Sequence, residues 1–229
     1  MQTVIRPVIV DALESIYSQD HAGPIQIVIG VDVTRGSHDI LRAAVERRPD
    51  NVSVTCLTLP YSTSVRHGGV HTSTCGGALM AILTLMANSR FVAYLDDDNT
   101  WRPNHLSVLR AAVEGKHWAH SKRMLISEET GEEIAVDEWD SVGFGRGRWA
   151  SLGGFVDPNC LMIDKIALNR AVGFWSESLS GQPGLGADKN FFRAIGKMPH
   201  TSSPEITVDY RVRRSNILLR LHQEGASFS

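Results

Sequence analysis

A short apolar stretch, Phe91-Val92-Ala93-Tyr94-Leu95, runs straight into Asp96-Asp97-Asp98, and Pro103 opens a helical pattern soon after. A buried strand that delivers three adjacent carboxylates to its end puts negative charge where the sheet meets solvent, a common place for ligands to bind. Open α/β sheets are built this way. Side chains two apart on an extended chain point the same way, so Asp96 and Asp98 share a face. Neighbouring carboxylates repel one another and are costly without a cation beside them. Hard oxygen donors suit Mg²⁺ or Mn²⁺, which makes Asp96 and Asp98 candidate metal ligands. The alternative is a solvated acidic turn at the end of a core strand.

The pattern has precedents upstream. Pro7 suits a first helical position, and Ile9, Ala12, Leu13 and Ile16 recur at helical spacing. Residues 25–31 are apolar, rich in β-branched side chains, and end at Asp32, a second carboxylate at a strand tip. Ser37 is placed to cap a helix carrying Ile40, Leu41, Ala44 and Val45 on one face. Val52, Val54 and Cys56 alternate in a further strand that stops at Pro60, and residues 61–74 form a Gly/Ser/Thr/His-rich loop. Residues 76–88 read as an apolar helix feeding the acid-tipped strand. Strand and helix alternating in this order predict a parallel sheet with helices on its faces.

After the helical stretch 103–115 the texture changes. Residues 117–126 and 133–136 flank a turn at Thr130-Gly131. Residues 141–154 read as a long surface loop with Arg146, Arg148 and Trp149. A strand is expected at 159–163, a helix at 187–197, a strand at 206–212 and a last helix at 215–224. Trp139, flanked by Asp137, Glu138 and Asp140, is either a stacking platform for a ligand ring or an aromatic packed on the core.

Composition excludes some roles. At 229 residues the chain supports one sizeable core, and a net charge of −2 gives no pull toward nucleic acid. Cys56, Cys75 and Cys160 lack metal-ligand spacing and do not resemble a disulfide scaffold. No apolar stretch is long enough to span a bilayer. A soluble, cytoplasmic protein without a transmembrane segment is the expectation.

Taken in order, these motifs resemble the family 2 glycosyltransferases, which have the glycosyltransferase-A fold. Thr3-Val4-Ile5-Arg6-Pro7 with Ala12-Leu13-Glu14-Ser15-Ile16 resembles that family's opening loop and first helix. Residues 27–32 resemble its second strand, whose terminal Asp contacts the nucleotide base. Tyr94-Leu95-Asp96-Asp97-Asp98 is similar to its metal-binding D-x-D, and Gly186-Ala187-Asp188 to its acidic catalytic base at a helix start. Residues 159–164 with Gly173-Phe174 resemble the acceptor region, and Asp209-Tyr210-Arg211-Val212 the late Tyr-Arg element. The chain starts almost at the loop that follows the family's first strand. Ser73-Thr74-Cys75 replaces Ala-Arg-Asn, and only one carboxylate remains of the Glu-Asp pair.

The resemblance implies a single domain over 1–229, with a nucleotide-sugar-binding half (1–101) and an acceptor-binding half (102–229). The implied fold is α/β: a Rossmann-like, mostly parallel central sheet flanked by helices, a smaller acceptor-side β/loop region and a truncated first strand. The implied reaction is inverting transfer of a hexose from a UDP- or other nucleoside-diphosphate sugar to a glycan, lipid-linked or small-molecule hydroxyl, as in polysaccharide biosynthesis. Asp188 would be the general base, and Asp96 and Asp98 would hold Mn²⁺ or Mg²⁺. Arg6, Asp32, Asp96, Asp97, Arg211 and Arg213 would contact the donor. Two alternatives remain: a phosphatase resembling the haloacid dehalogenases, with Asp96 as nucleophile and Asp98 as acid, and a non-catalytic nucleotide-sugar-binding domain.

Overall fold

Apolar periodicity becomes secondary structure almost element by element in the first half. The computed structural model describes residues 1–33, 36–72, 76–179 and 186–227. The first half comprises β1 (Gln2–Thr3), α1 (Ile9–Tyr17), β2 (Ile25–Val31), α2 (His38–Glu46), β3 (Val52–Thr58), α3 (Gly77–Met86), β4 (Phe91–Ala93), β5 (Thr100–Trp101) and α4 (His105–Ala112). The second comprises β6 (Trp118–Ser127), β7 (Glu133–Val136), β8 (Gly143–Phe144), β9 (Gly154–Phe155), β10 (Leu161–Asp164), α5 (Ala187–Ile195), β11 (His200–Val212) and α6 (Ile217–Gln223).

Helix α1 buries the stripe Ile9, Ala12, Leu13 and Ile16, each large apolar side chain contributing about 1.5–3 kcal/mol. The Ser37 hydroxyl caps α2 by accepting the Asp39 N–H at 3.1 Å. Gly30 lets α3 lie directly on β2, because a Cβ at this position would meet Leu79 at 2.8 Å.

The strands form two principal ladders rather than one. Strands β1, β2 and β3 are parallel, with β2 and β3 paired continuously from Ile25↔Val52 to Val31↔Thr58. The larger sheet runs β4-β10-β6-β11-β5, with β7 on the flank of β6. This sheet is mixed: β10 is antiparallel to β4 and β6, while β11 is parallel to β6. Strand β1 pairs with β2 only at Gly30 and Val31, so no ladder joins β2 to β4 among the described residues. A cleft of about 510 Å³ opens along that seam, with Met80, Leu83, Phe91 and Tyr94 on its walls. None of the three consecutive aspartates lines it.

Two segments depart from expectation. Strand β11 begins at His200 rather than 206, and its pairing with β6 slips on either side of Ile206. Pro204 lies in the unpaired stretch, where its missing N–H forfeits no ladder bond. Residues 141–154 are not an open loop, because β8 and β9 pair and a 3-10 turn (Gly147–Leu152) connects them. Behind the acid turn, Trp175 stacks on Phe191 at 4.5 Å between centroids, and Tyr94 packs on both. Aromatic contact thus fastens α5 to the end of β4. No helix among the described residues is long and apolar enough to cross a membrane. Cys56 and Cys160 are free thiols, and Cys75 lies outside the described residues.

Candidate functional site

Hydrogen bonds tie the C-terminal ends of β1 and β2 to the turn that follows β4. The Asp32 N–H donates to the Thr3 carbonyl at 3.1 Å, and the Thr3 hydroxyl donates to Asp97. The tip of β2 is thereby linked through β1 to the acid turn. Asp32 also accepts from the Ser62 hydroxyl at 3.0 Å and the Thr63 N–H at 3.3 Å, which orients its carboxylate.

The three aspartates of the turn have different fates. Asp97 is buried and paired with the Arg6 guanidinium, whose Nε lies 3.1 Å from Oδ1 and whose Nη2 reaches the same oxygen. It faces inward, and in this arrangement it anchors Arg6. Asp98 is 36% exposed and takes Arg6 Nη1 at 2.8 Å. Burial would lower the Arg6 pKa, but its bonds to Asp97 and Asp98 hold it above the usual value. Asp96 is clasped by Asn159: its N–H donates to Asn159 Oδ1 at 2.7 Å, and Asn159 Nδ2 donates back at 3.0 Å. Burial, then the Asp157 and Asp98 charges, push the Asp96 carboxyl up to about 7, against the pull of Asn159.

Arg6 is aimed by backbone strain. Ile5 is fully buried with φ of 59°, a left-handed conformation that a β-branched residue adopts only under constraint, at a cost of about 1–3 kcal/mol. Its N–H donates to the Thr3 hydroxyl at 2.7 Å, fixing the corner from which Arg6 projects.

Asp188 lies in the first turn of α5, where the Lys189 N–H donates to its Oδ1 at 2.8 Å. Burial raises its pKa despite the charge of Lys189 nearby, and Asp157 raises it further. Gly186 leaves room for this carboxylate, since a Cβ there would lie 2.3 Å from Asp188 Oδ1. Residues 180–185, the loop expected ahead of this helix, and Ser73-Thr74-Cys75 lie outside the described residues.

The two late arginines separate. The Arg211 N–H donates to Asn99 Oδ1 at 3.0 Å, so its backbone borders the acid turn, but its guanidinium pairs with Asp11 at 2.7 Å. Arg213 pairs with Glu128 on the exposed surface at 2.8 Å. The Asp137–Asp140 segment is no sugar platform. Trp139 is buried and donates Nε1–H to the Ala226 carbonyl, while Asp137, Asp140 and Asp157 all bond the buried Arg123.

Asp157 is the residue that sequence reasoning missed as a site component, while Asn159, which the resemblance sets in the acceptor region, also holds the acid turn. Asp157 Oδ1 accepts Asn159 Nδ2 at 2.6 Å, and Asp157 acts electrostatically on both Asp96 and Asp188. The available signal was Asp157-Pro158-Asn159, a short polar cluster immediately before an apolar strand.

Among the described residues no three His, Cys, Asp or Glu side chains converge as a metal cage. A divalent ion shared with a bound diphosphate needs only one or two protein carboxylates, the rest coming from phosphate and water. Half-exposed Asp98, with Asp96 two positions earlier on the same turn, fits that requirement once Arg6 yields Asp98.

The α/β architecture with its parallel β1–β3 sheet is glycosyltransferase-A-like, and its structural neighbours are glycosyltransferases. TarS from S. aureus superposes with a TM-score of 0.63 at 12% identity, over 97% of this chain and 38% of that one. TarS 1–349 in complex with UDP-GlcNAc gives 0.62 at 13%, over 96% and 57%. The mannosyltransferase PcManGT from Pyrobaculum calidifontis, in complex with GDP-Man and Mn²⁺, gives 0.57 at 16%, over 97% and 59%. The chain therefore spans between about two fifths and three fifths of the length of these structures. No protein-family profile matches the sequence, and no curated protein is significantly similar to it.

Proposed function

We propose that this chain transfers a hexose from a nucleoside-diphosphate sugar to an acceptor hydroxyl, with inversion at the anomeric carbon. The observation that carries the reading is the wiring of the acid turn to a further carboxylate. Asn159 Nδ2 donates to both Asp96 and Asp157, and the Asp157 charge raises the pKa of Asp96 and of Asp188 at the start of α5, which supports a shared site. Solved structures of similar fold hold UDP-GlcNAc or GDP-Man, which supports a nucleotide sugar as the donor.

In this reading Asp32 accepts a hydrogen bond from the nucleobase or ribose at the tip of β2. Asp98, with Asp96 behind it, holds Mn²⁺ or Mg²⁺. The ion, when bound, neutralises charge that builds on the departing diphosphate. Asp188 takes the acceptor hydroxyl proton, and its raised pKa makes it a better base than an ordinary carboxylate. The oxygen attacks the anomeric carbon from the face opposite the diphosphate, so no covalent enzyme intermediate forms. Glycan, lipid-linked and small-molecule acceptors all satisfy this chemistry.

The phosphatase alternative gains nothing here, because the solved structures of similar fold are glycosyltransferases. The decisive measurement is nucleoside-diphosphate release from UDP- and GDP-sugars with Mn²⁺, alongside calorimetric nucleotide binding. Asp188→Asn should lower turnover about 10²–10⁴-fold and leave nucleotide binding intact. A wild type that binds donor yet releases no diphosphate, with any acceptor or with water, makes the chain a non-catalytic binder.

A further inference from the structure

Arg6 stands at the point where a mobile cation would otherwise be recruited. Two of its nitrogens bond the buried Asp97, and the third lies 2.8 Å from Asp98 Oδ2. Several features hold it there. Asp97 is tied in turn to the Thr3 hydroxyl, which also accepts the Ile5 N–H. Ile5 is locked in the left-handed region, and Gly36 backs the corner so closely that a Cβ would overlap the Ile5 carbonyl oxygen at 1.8 Å. The Arg6 side chain is nonetheless 37% exposed, close to the 36% of Asp98.

We propose that Arg6 is the resident cation of the acid turn. It competes with a divalent ion for Asp98 when no nucleotide is bound, and it contacts a nucleotide's diphosphate directly when one is. The second half rests on the nucleotide-sugar reading above. A positive charge fixed beside Asp98 weakens attraction for a second cation. Its rigid fork of N–H donors matches phosphate oxygens, and anchoring on Asp97 leaves Nη1 free to change partner from Asp98 to phosphate. Nucleotide affinity should therefore persist without metal.

The test has two arms, each on wild type, Arg6→Gln and the double variant Arg6→Gln/Asp97→Asn. The double variant leaves no unpaired buried carboxylate and keeps the net charge of the turn unchanged, so it remains informative if the single variant fails to fold. In the first arm Mn²⁺ is titrated into nucleotide-free protein and followed by electron paramagnetic resonance. Arg6→Gln should bind Mn²⁺ about tenfold more tightly than wild type, and the double variant, where loss of the Asp97 charge offsets part of the gain from freeing Asp98, about threefold more tightly. In the second arm UDP and GDP are titrated in EDTA. Wild type should bind, and the variants should lose about tenfold or more. Variants with unchanged or weaker Mn²⁺ affinity would overturn the competition, and a wild type stripped of nucleotide binding by EDTA would overturn the diphosphate contact. A wild type that binds no nucleotide even with Mn²⁺ defeats the nucleotide reading itself, while the Mn²⁺ arm still decides the competition.

Discussion

Two arginines gather carboxylates in this molecule, and they serve opposite ends. Arg123 is 1% exposed, its three nitrogens each bonded to a different aspartate: Asp137, Asp157 and Asp140. Its guanidinium also lies 3.9 Å from the centre of the Tyr210 ring. Arg6 serves only Asp97 and Asp98, and it remains more than a third open to solvent. Acid clusters built around a single arginine are therefore not equivalent. A fully satisfied, dry cluster stabilises a fold, whereas one whose cation faces water retains capacity to exchange partners. Asp157 and Asn159 connect the two, since Asp157 bonds Arg123 on one side and Asn159 reaches Asp96 on the other.

The sharpest way to break this contrast is Arg123→Met, which keeps length and removes charge. It strands three carboxylates in the interior and should cost about 3–5 kcal/mol in urea denaturation, clearly more than Arg6→Gln. Equal losses would mean that the two clusters are energetically alike.

Next in size is the pH response of Asp96. Its folded pKa of about 7 exceeds the ordinary 3.8, so the folded state holds this proton more tightly than the unfolded chain. The associated stability is fully present below about pH 4 and is lost as pH rises through 7. Without metal, Asp96→Asn should match wild type near pH 4 and exceed it by roughly 2–4 kcal/mol at pH 8. Parallel urea midpoints across that range would show the open cluster to be as relaxed as the closed one.

The smallest effect is expected at the periphery. Arg213→Ala removes an exposed pair with Glu128 and should shift stability by less than about 0.5 kcal/mol, with nucleotide affinity unchanged. A measurable loss of UDP or GDP binding would bring Arg213 back to the diphosphate.

Much of the first half of the chain was legible in the sequence because its signals are local. The Ser37 cap, the α1 stripe, the strand ending at Asp32 and the acid turn each lie within a dozen residues. The linkage behind the turn was not legible. Arg123 occurs in an alternating strand where an arginine ordinarily faces water, and its partners stand 14, 17 and 34 positions later. Asn159 reaches Asp96 across 63 positions. For the same reason the Asp137–Asp140 run resembled a ligand platform until its carboxylates were found on Arg123. The mixed order of the larger sheet depends on β10 pairing between β4 and β6, which no periodicity encodes.

The unladdered seam between β2 and β4 has a mechanical consequence. With no ladder between those strands among the described residues, Thr3 carries the link between their tips, its carbonyl accepting the Asp32 N–H and its hydroxyl donating to Asp97. Small rotations there would change the span between Asp32 and Asp98, which the proposed function sets at the two ends of a bound nucleotide. Donor capture would then register as stiffening at Thr3, visible as slowed amide exchange at Asp32 and Ile5.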